Sequence, residues 1–251
     1  MRLHLPSRAD RFSGARRAGR GARQRPAGVL TTWLRQGLRA GICPLCRVAH
    51  KADREYIWHF FDEGADQGDA IDLVRRACGF CAEHATMLSR IDTEAMQSTL
   101  AISTMFADTF AGIVSDLETL SSRDEFVRAP CPACANREDQ VTANARYLLD
   151  ELATNPGMRA RFDESPGLCF AHFEVVWNRA QTDDERGFLG RVQREAATRL
   201  LAELADDVRK HDHRYRNETR GSERDAWRRA MFMTAGWPAP SESAAQPEGS
   251  R

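Results

Sequence analysis

Two copies of one cysteine and histidine pattern, 88 residues apart, constrain this chain more than any other feature. Each copy begins with a Cys-Pro-x-Cys motif, at Cys43–Cys46 and Cys131–Cys134. Each continues, after 32 intervening residues, with a Gly-x-Cys-x-x-His motif, at Gly79–His84 and Gly167–His172. An acidic pair recurs at the same offset, as Asp62-Glu63 and Asp150-Glu151. A shared offset at several separate points indicates a tandem duplication, with copies near 41–122 and 129–213.

The repeated residues form a ligand set for zinc. A structural zinc ion takes four ligands in a tetrahedron, and two ligands separated by two residues can reach the same ion. Each copy offers three cysteines and one histidine, so two ions are predicted: Cys43, Cys46, Cys81 and His84 in one copy, and Cys131, Cys134, Cys169 and His172 in the other. The spacing leaves one alternative open, in which Cys43 and Cys46 share an ion with Cys169 and His172. An iron–sulfur cluster is less favoured, because full cysteine ligation is its commoner scheme.

The hydrophobic pattern predicts an all-α fold. Val48, Ala52, Tyr56 and Phe60 recur at a spacing of four, which is typical of one helical face. No segment alternates with the period of a strand. Helices are expected over 44–63, 69–77, 80–90, 93–120, 132–153, 157–163, 168–179, 183–211 and 222–234. In this plan each ion joins the start of one helix to the start of a distant one, as a clamp on a helical bundle.

Several local signals refine the helix boundaries. Thr93 is placed to cap the 93–120 helix, and Thr182 with Glu185 predicts a capping box at residue 183. Gly79 predicts a left-handed residue at a helix end. A terminal helix over 222–235 is expected to dock through its apolar residues, and the Pro- and Ser-rich segment 238–251 is expected to be disordered.

Charge is distributed unevenly along the chain. Residues 1–40 contain ten Arg and one acid, a net charge of about +9, whereas the remainder has 26 basic and 35 acidic side chains, about −9. An acidic body argues against a nucleic-acid-binding core, although the Arg-rich extension over 1–40, expected to be disordered, could touch nucleic acid. No apolar run is long enough to span a membrane, and no export signal is recognisable. With seven cysteines in that setting, a cytoplasmic metalloprotein is expected.

Other candidate residues have simpler interpretations. Cys78 and His50 have no equivalent ligand in the second copy, and His59 is expected to be an ordinary helix residue. The segment His211–His213 suits the negative end of a helix dipole. The acidic pairs Asp62-Glu63 and Asp150-Glu151 could build an acid/base site, contact the zinc histidines, or simply solubilise helix ends.

The motifs resemble those of a family of uncharacterised bacterial and archaeal proteins. The resemblance rests on the Cys-Pro-x-Cys motif, the acidic helix end, the Gly-x-Cys-x-x-His motif and the second copy of all three. It covers about residues 41–235, including Asp225-Ala226-Trp227-Arg228-Arg229-Ala230. It implies the cysteine and histidine positions as metal ligands and implies no catalytic residue.

Three functional hypotheses follow. The first is a non-enzymatic, zinc-stabilised helical protein that binds a protein partner, because the ligand sets are complete and no catalytic motif is visible. The second is a thiol-based sensor in which oxidation opens the clamps. The third is an enzyme that uses the duplicated carboxylates inside the bundle. Self-association is compatible with all three.

Overall fold

The computed structural model describes residues 27–60, 68–91, 100–120, 125–215 and 217–239. Within these ranges the chain forms ten α-helices and no strand, which confirms the predicted all-α class. The helices, in chain order, are α1 Ala27–Arg39, α2 Pro44–His59, α3 Gly68–Arg76, α4 Ala82–Ile91, α5 Leu100–Glu118, α6 Pro132–Thr154, α7 Pro156–Asp163, α8 Phe170–Trp177, α9 Asp183–Lys210 and α10 Ala226–Ala235. A 3-10 turn over Ser222–Asp225 leads into α10.

The two Cys-Pro-x-Cys motifs begin the two central helices. Cys43 is the N-cap of α2 and Cys131 is the N-cap of α6, with a proline at the first helical position in both. Proline fits there because the first helical N–H has no partner within the helix and the fixed φ of proline suits a helix start. The sequence therefore places a pair of thiols at the start of each helix.

Helices α2 and α6 pack side by side and run antiparallel. The amide of Asn136 donates to the carbonyl of Ala52 at 3.4 Å, near the start of α6 and the middle of α2. Leu45 and Leu148, at the start of α2 and the later part of α6, belong to one core. The start of each helix therefore lies beside the later part of the other, and the two pairs of thiols lie at opposite ends of the helix pair.

Two hydrophobic cores flank this central pair. The main core joins the first half of α2 and the second half of α6 to residues of α1, α7, α8, α9 and α10, and includes Leu34, Phe162 and Leu189. The smaller second core joins the end of α2 and the start of α6 to α3, α4 and α5, and includes Ile57 and Met105. Each pair of thiols thus lies beside its own core.

The N-terminal extension differs from its prediction. Residues 27–39 form α1, in which Trp33 and Leu34 are buried in the main core, so the expected disorder over 1–40 is wrong for this part. Helix α1 packs along α2, and its apolar side chains explain why it folds. Residues 1–26 lie outside the described part of the chain.

The other helix boundaries follow the predictions closely within the described residues. The predicted end of α2 at residue 63 and the predicted start of α5 at residue 93 lie outside those residues. Thr93 lies outside the described residues, as does the predicted tail from residue 240 onward. The capping box of Thr182 and Glu185 is present at the start of α9. Among the described helices, none has both the length and the apolar composition that a bilayer span requires.

Candidate metal centres

Four of the predicted ligands meet where α2 and α8 begin. The side chains of Cys43, Cys46, Cys169 and His172, here called cluster 1, have ligand atoms that all lie within 4.8 Å of one another. His172 Nδ1 is 3.5 Å from Cys43 Sγ, 3.4 Å from Cys46 Sγ and 3.2 Å from Cys169 Sγ. The sulfurs of Cys46 and Cys169 are 3.7 Å apart. This arrangement could hold a metal ion.

The other four predicted ligands meet where α4 and α6 begin. Cluster 2 consists of Cys81, His84, Cys131 and Cys134, whose ligand atoms also lie within 4.8 Å of one another. His84 Nδ1 is 3.1 Å from Cys81 Sγ, 3.6 Å from Cys131 Sγ and 3.4 Å from Cys134 Sγ. The sulfurs of Cys81 and Cys134 are 3.6 Å apart. Both clusters present three sulfurs and one Nδ1 atom.

The ligand pairs combine across the two copies. The structure groups Cys43 and Cys46 with the Cys-x-x-His of the second copy, and Cys131 and Cys134 with that of the first. The expected pairing within each copy is therefore wrong, and the alternative left open by the spacing is the one found. The reason is the antiparallel packing of α2 on α6, which carries each pair of thiols toward the other copy.

A left-handed glycine shapes the entry into each Cys-x-x-His helix. Gly79 has φ 98° and Gly167 has φ 76°, both two residues before the ligand cysteine. At Gly167 a Cβ atom would lie 2.8 Å from Gln193 Oε1. Gln193 is buried in α9, where its amide accepts from the backbone N–H of Leu168 at 3.0 Å and donates to the carbonyl of Leu168 at 2.9 Å. The amide therefore fixes the backbone just before Cys169.

The segment after α10 closes over cluster 1. The backbone N–H of Trp237 donates to Cys46 Sγ at 3.3 Å, and its carbonyl accepts from His50 Nε2 at 2.7 Å. The indole of Trp237 is buried in the main core. A backbone N–H directed at a sulfur stabilises the thiolate form. The end of the described chain is therefore part of this centre.

A buried carboxylate orients the histidine of cluster 2. Asp53 on α2 is only 1% exposed, and its Oδ1 lies 3.0 Å from His84 Nε2. Arg137 on α6 donates from Nη1 to Asp53 Oδ2 at 3.1 Å and to Glu83 at 3.2 Å, and its Nη2 lies 3.8 Å from Cys134 Sγ. A carboxylate on the remote nitrogen of a metal-binding histidine fixes the tautomer and the ring plane. With Nε2 directed at Asp53, Nδ1 is left to face the sulfurs.

Burial and mutual contact shift the thiol pKa values of cluster 1 in opposite directions. Burial, with hydrogen bonds to Cys169 and Cys46, raises the pKa of Cys43 well above its usual value. The hydrogen bond with Cys169 raises the pKa of Cys46 to about 12. Hydrogen bonds from Cys43 and Cys46 lower the pKa of Cys169. Without a cation, one thiolate is thus stabilised by two thiols, and a central cation would stabilise three thiolates.

Cluster 2 also combines a thiol whose pKa is raised with a thiol whose pKa is lowered. Burial, followed by the contact with Cys81, raises the pKa of Cys134 to about 12. Burial opposes ionisation of Cys81, but hydrogen bonds from His84 and Cys134 outweigh it and lower the pKa of Cys81 to about 7. Burial also opposes the charged form of His84, but the hydrogen bond and charge of Asp53 prevail and raise its pKa to about 9. A bound cation would displace the protons on Cys134 and His84.

The remaining candidates lie elsewhere. Cys78, with φ 52°, belongs to neither cluster, and His50 contacts Trp237 and no ligand sulfur. His211 and His213 are exposed beside acidic residues. Asp150 pairs with Arg146 at 2.6 Å, and Glu151 accepts from Tyr147 and Asn155, so neither carboxylate reaches a cluster. Their counterparts Asp62 and Glu63 lie outside the described residues.

Sequence reasoning missed the residues that surround the ligands. Asp53 carried a usable signal, because it falls midway between Ala49 and Ile57 on the buried face of α2. A single acid within an apolar stripe indicates a buried partner. Arg137 and Trp237 carried no such signal, since their roles depend on how α6 and the chain end pack.

Comparison with known proteins places the chain in a family. Residues 39–240 match a protein family described as a family of unknown function, DUF6062. The chain belongs to this family. The matched region contains all eight cysteine and histidine residues of the two clusters, together with Asp53, Arg137 and Trp237. No curated protein and no solved structure matches the chain.

Proposed function

We propose that this protein binds two zinc ions, one in each cluster, and that the ions hold together a non-enzymatic helical protein that recognises a protein partner. The observation that carries the proposal is the pair of Cys3His groups assembled from four separate helix starts. A complete set of four protein ligands is typical of structural zinc, since catalytic zinc keeps one position for water or substrate.

The distances support zinc in particular. In a tetrahedral site with zinc–sulfur bonds of about 2.3 Å, sulfurs lie about 3.8 Å apart and a sulfur and a histidine nitrogen about 3.6 Å apart. The sulfurs of Cys81 and Cys134 are 3.6 Å apart and those of Cys46 and Cys169 are 3.7 Å apart. The sulfur–nitrogen distances run from 3.1 to 3.6 Å. An iron–sulfur cluster would set its cysteine sulfurs farther apart, because inorganic atoms lie between them.

The exchanged pairing also supports a tandem duplication. Two copies related by a two-fold axis would pack their equivalent helices antiparallel, as α2 and α6 do. In such a pair, the Cys-x-x-Cys of each copy would lie beside the Cys-x-x-His of the other copy, and the two resulting sites would be equivalent. We propose that copies near 41–122 and 129–213 are paired in this manner, and that the free state of all seven cysteines reflects a cytoplasmic location.

Metal analysis of the purified protein tests the proposal. We expect about two zinc ions per chain, no visible absorbance, and loss of helical circular dichroism when a strong chelator removes the metal. Affinity should fall as the pH falls, because the protons that metal binding displaces from Cys43, Cys46, Cys134 and His84 return at lower pH.

A matched control separates ligand cysteines from other cysteines. Cys78→Ser should retain two ions, because Cys78 lies outside both clusters, whereas Cys134→Ser should retain one. Fewer than one metal ion per chain in the unchanged protein would reject the proposal. A brown protein with visible absorbance would replace zinc by an iron–sulfur cluster.

The exposure of cluster 2 favours a second candidate function, that of a thiol sensor. Cys81 and Cys134 are partly exposed, whereas Cys43, Cys46 and Cys169 are buried. Hydrogen peroxide would oxidise two thiolates of cluster 2 to a disulfide, with reduction of the peroxide to water and release of the zinc ion. Release of one zinc ion per chain at low peroxide would support this function, and simultaneous release of both ions would count against it.

A further inference from the structure

Helix α5 exposes a continuous small and apolar stripe. Ser103, Ala107, Phe110, Val114 and Leu117 follow one another at spacings of four, three, four and three residues, and all five are exposed. Phe110, Val114 and Leu117 are more than half exposed, at 61, 53 and 51%. Leu100, one step earlier in the same spacing, is 73% exposed. This spacing of three and four residues is the pattern with which one helix packs against another along its length.

The stripe lies apart from the face that α5 uses in the fold. Met105 and Thr109 are buried, and Ile102 and Phe106 pack into the second core beside α3. The residues of the stripe fall between these positions along the helix. Helix α5 therefore has two contact faces, of which the described part of the chain covers one.

The corresponding long helix of the second half is covered differently. Helix α9 contacts α10, which comes from the end of the same chain and also packs on α8. Exposed apolar residues of α9, such as Leu201 and Val208, are separated by charged neighbours, including Asp206, Asp207 and Arg209. Among the described helices, α10 packs on α9 and not on the exposed stripe of α5.

The stripe has two properties that fit a second copy of itself. With α5 antiparallel to another α5, about a two-fold axis between residues 108 and 109, Ala107 faces Phe110 and Ser103 faces Val114. Each small side chain then lies opposite a large one, and Leu117 faces Leu100. The stripe also contains no charged residue, so no buried charge opposes the pairing.

We propose that two copies of this chain associate through α5, with the stripes packed antiparallel about a two-fold axis. An interface made of one self-complementary patch is what a two-fold dimer requires. The inference rests on the proposed interaction role, naming a second copy as the partner, and does not depend on metal. It also explains why apolar side chains of α5 face solvent in a single chain.

The size and charge of the interface predict a weak dimer. Helix α5 has 19 residues, or about 28 Å of length, so a single helix pair gives an area at the low end for specific interfaces. Helix α5 also carries Asp108, Asp116 and Glu118 and no basic residue, so two copies repel each other at low salt. Association should therefore depend on protein concentration and strengthen with salt.

Sedimentation of the full chain across a range of protein concentrations tests the proposal. We expect dimers at high concentration, and at least a tenfold weaker association in Phe110→Glu, because a carboxylate in an apolar interface loses its hydration. Val208→Glu, at an exposed apolar position on α9, is the control and should associate as the unchanged protein does. Equal weakening by both substitutions would overturn the proposal.

Opposite charges placed at facing positions test the antiparallel arrangement. Ser103→Glu and Val114→Lys should each weaken the dimer, because like charges or an unpaired charge enter the interface. The double variant should regain dimerisation, since Glu at 103 of one copy then faces Lys at 114 of the other at both ends. In a parallel pairing each position would face itself, so no recovery in the double variant would overturn the antiparallel dimer.

Two further results would overturn a dimer formed through α5. A chain that stays monomeric at all concentrations and salt levels would overturn the proposal. A dimer lost on deletion of residues 1–26 would assign association to the Arg-rich segment instead. The Phe110→Glu and Ser103→Glu variants should still bind two zinc ions per chain, so failure of the dimer and failure of the metal sites are measured separately.

Discussion

Clusters 1 and 2 each consist of three cysteines and one histidine, yet their surroundings differ. Cluster 1 borders the main core, and the backbone of Trp237 closes over one of its sulfurs. Cluster 2 borders the smaller core, with two partly exposed thiols, and its histidine is held by the buried Asp53. The ligands determine what each site can bind, and the neighbours determine how firmly the site holds it.

The comparison predicts that loss of cluster 1 is the more damaging. Apparent binding free energies of structural zinc reach about 10–16 kcal/mol in small peptides, and domains are stable by about 5–15 kcal/mol. Cys43→Ser should therefore largely unfold the helices of the main core, whereas Cys131→Ser should leave them folded. Circular dichroism with zinc analysis measures both effects. Equal loss of helix in the two variants would show that cluster 1 is no more important for folding than cluster 2.

The closing segment of cluster 1 should give the next largest effect. Trp237→Ala removes a buried indole and loosens the backbone beside Cys46, so we expect a loss of about 3 kcal/mol in stability. Zinc should also leave cluster 1 faster, while cluster 2 is unchanged. Trp227→Ala, on the exposed face of α10, is the control and should cost about 0.5 kcal/mol or less. Denaturant unfolding of both variants compares them directly.

Asp53→Asn should affect cluster 2 alone. The amide keeps the shape of the side chain but removes the charge that orients His84, which should weaken zinc binding at this cluster about 10–100-fold. Competition with a chromophoric chelator should resolve two zinc-binding steps, and Asp53→Asn should shift one of them to weaker affinity. Asp150→Asn, an exposed acid in an ion pair with Arg146, should shift neither step. A shift in both steps for Asp53→Asn would show that the centres are coupled.

The smallest effect is expected at the start of α9, which contributes no residue to either cluster. Thr182→Ala removes the N-cap of α9, whose oxygen accepts from the backbone N–H of Glu185 at 3.1 Å, and should cost about 1 kcal/mol without changing zinc affinity. Backbone hydrogen bonds from Gln181 and Thr182 lower the pKa of Glu185. Its ionised form therefore adds stability above its unfolded pKa, and that stability is lost as the pH falls.

In Glu185→Gln, the part of the stability that depends on ionisation of the Glu185 carboxyl should be absent. Thermal unfolding between pH 3 and 7, with zinc analysis alongside, measures both capping variants. Altered zinc affinity in either variant would mean that α9 influences cluster 1 through Gln193.

Much of the fold and the ligand set could be predicted from the sequence because both depend on local patterns. Proline after a cysteine marked the start of α2 and α6, and Thr182 with Glu185 marked the start of α9. The offset of 88 residues identified all eight clustered side chains. These helix starts and ligand positions can be predicted without knowing how the helices pack, because they depend on a few neighbouring residues or on a repeated motif.

The pairing of the ligands could not be predicted, because it depends on how distant helices pack. The spacing permits either combination, and the antiparallel contact of α2 with α6 selects the exchanged one. The helix α1 was missed for a related reason. It lies within the segment 1–40, whose ten Arg suggested disorder, whereas burial of Trp33 and Leu34 in the main core decides its structure.

Because each cluster combines residues from both copies, each cluster closes a loop of the chain, and the loop closed by cluster 2 lies within the loop closed by cluster 1. The inner closure joins Cys131 to His84, 47 residues apart, and the outer joins Cys46 to Cys169, 123 residues apart. The shorter loop loses less conformational entropy on closing, and once closed it shortens the outer loop. During synthesis the inner ligand set is complete at residue 134, and the outer must wait for residue 172 and then for Trp237. We therefore expect the growing chain to acquire its inner ion first, and the later segment at Trp237 to close over the outer one.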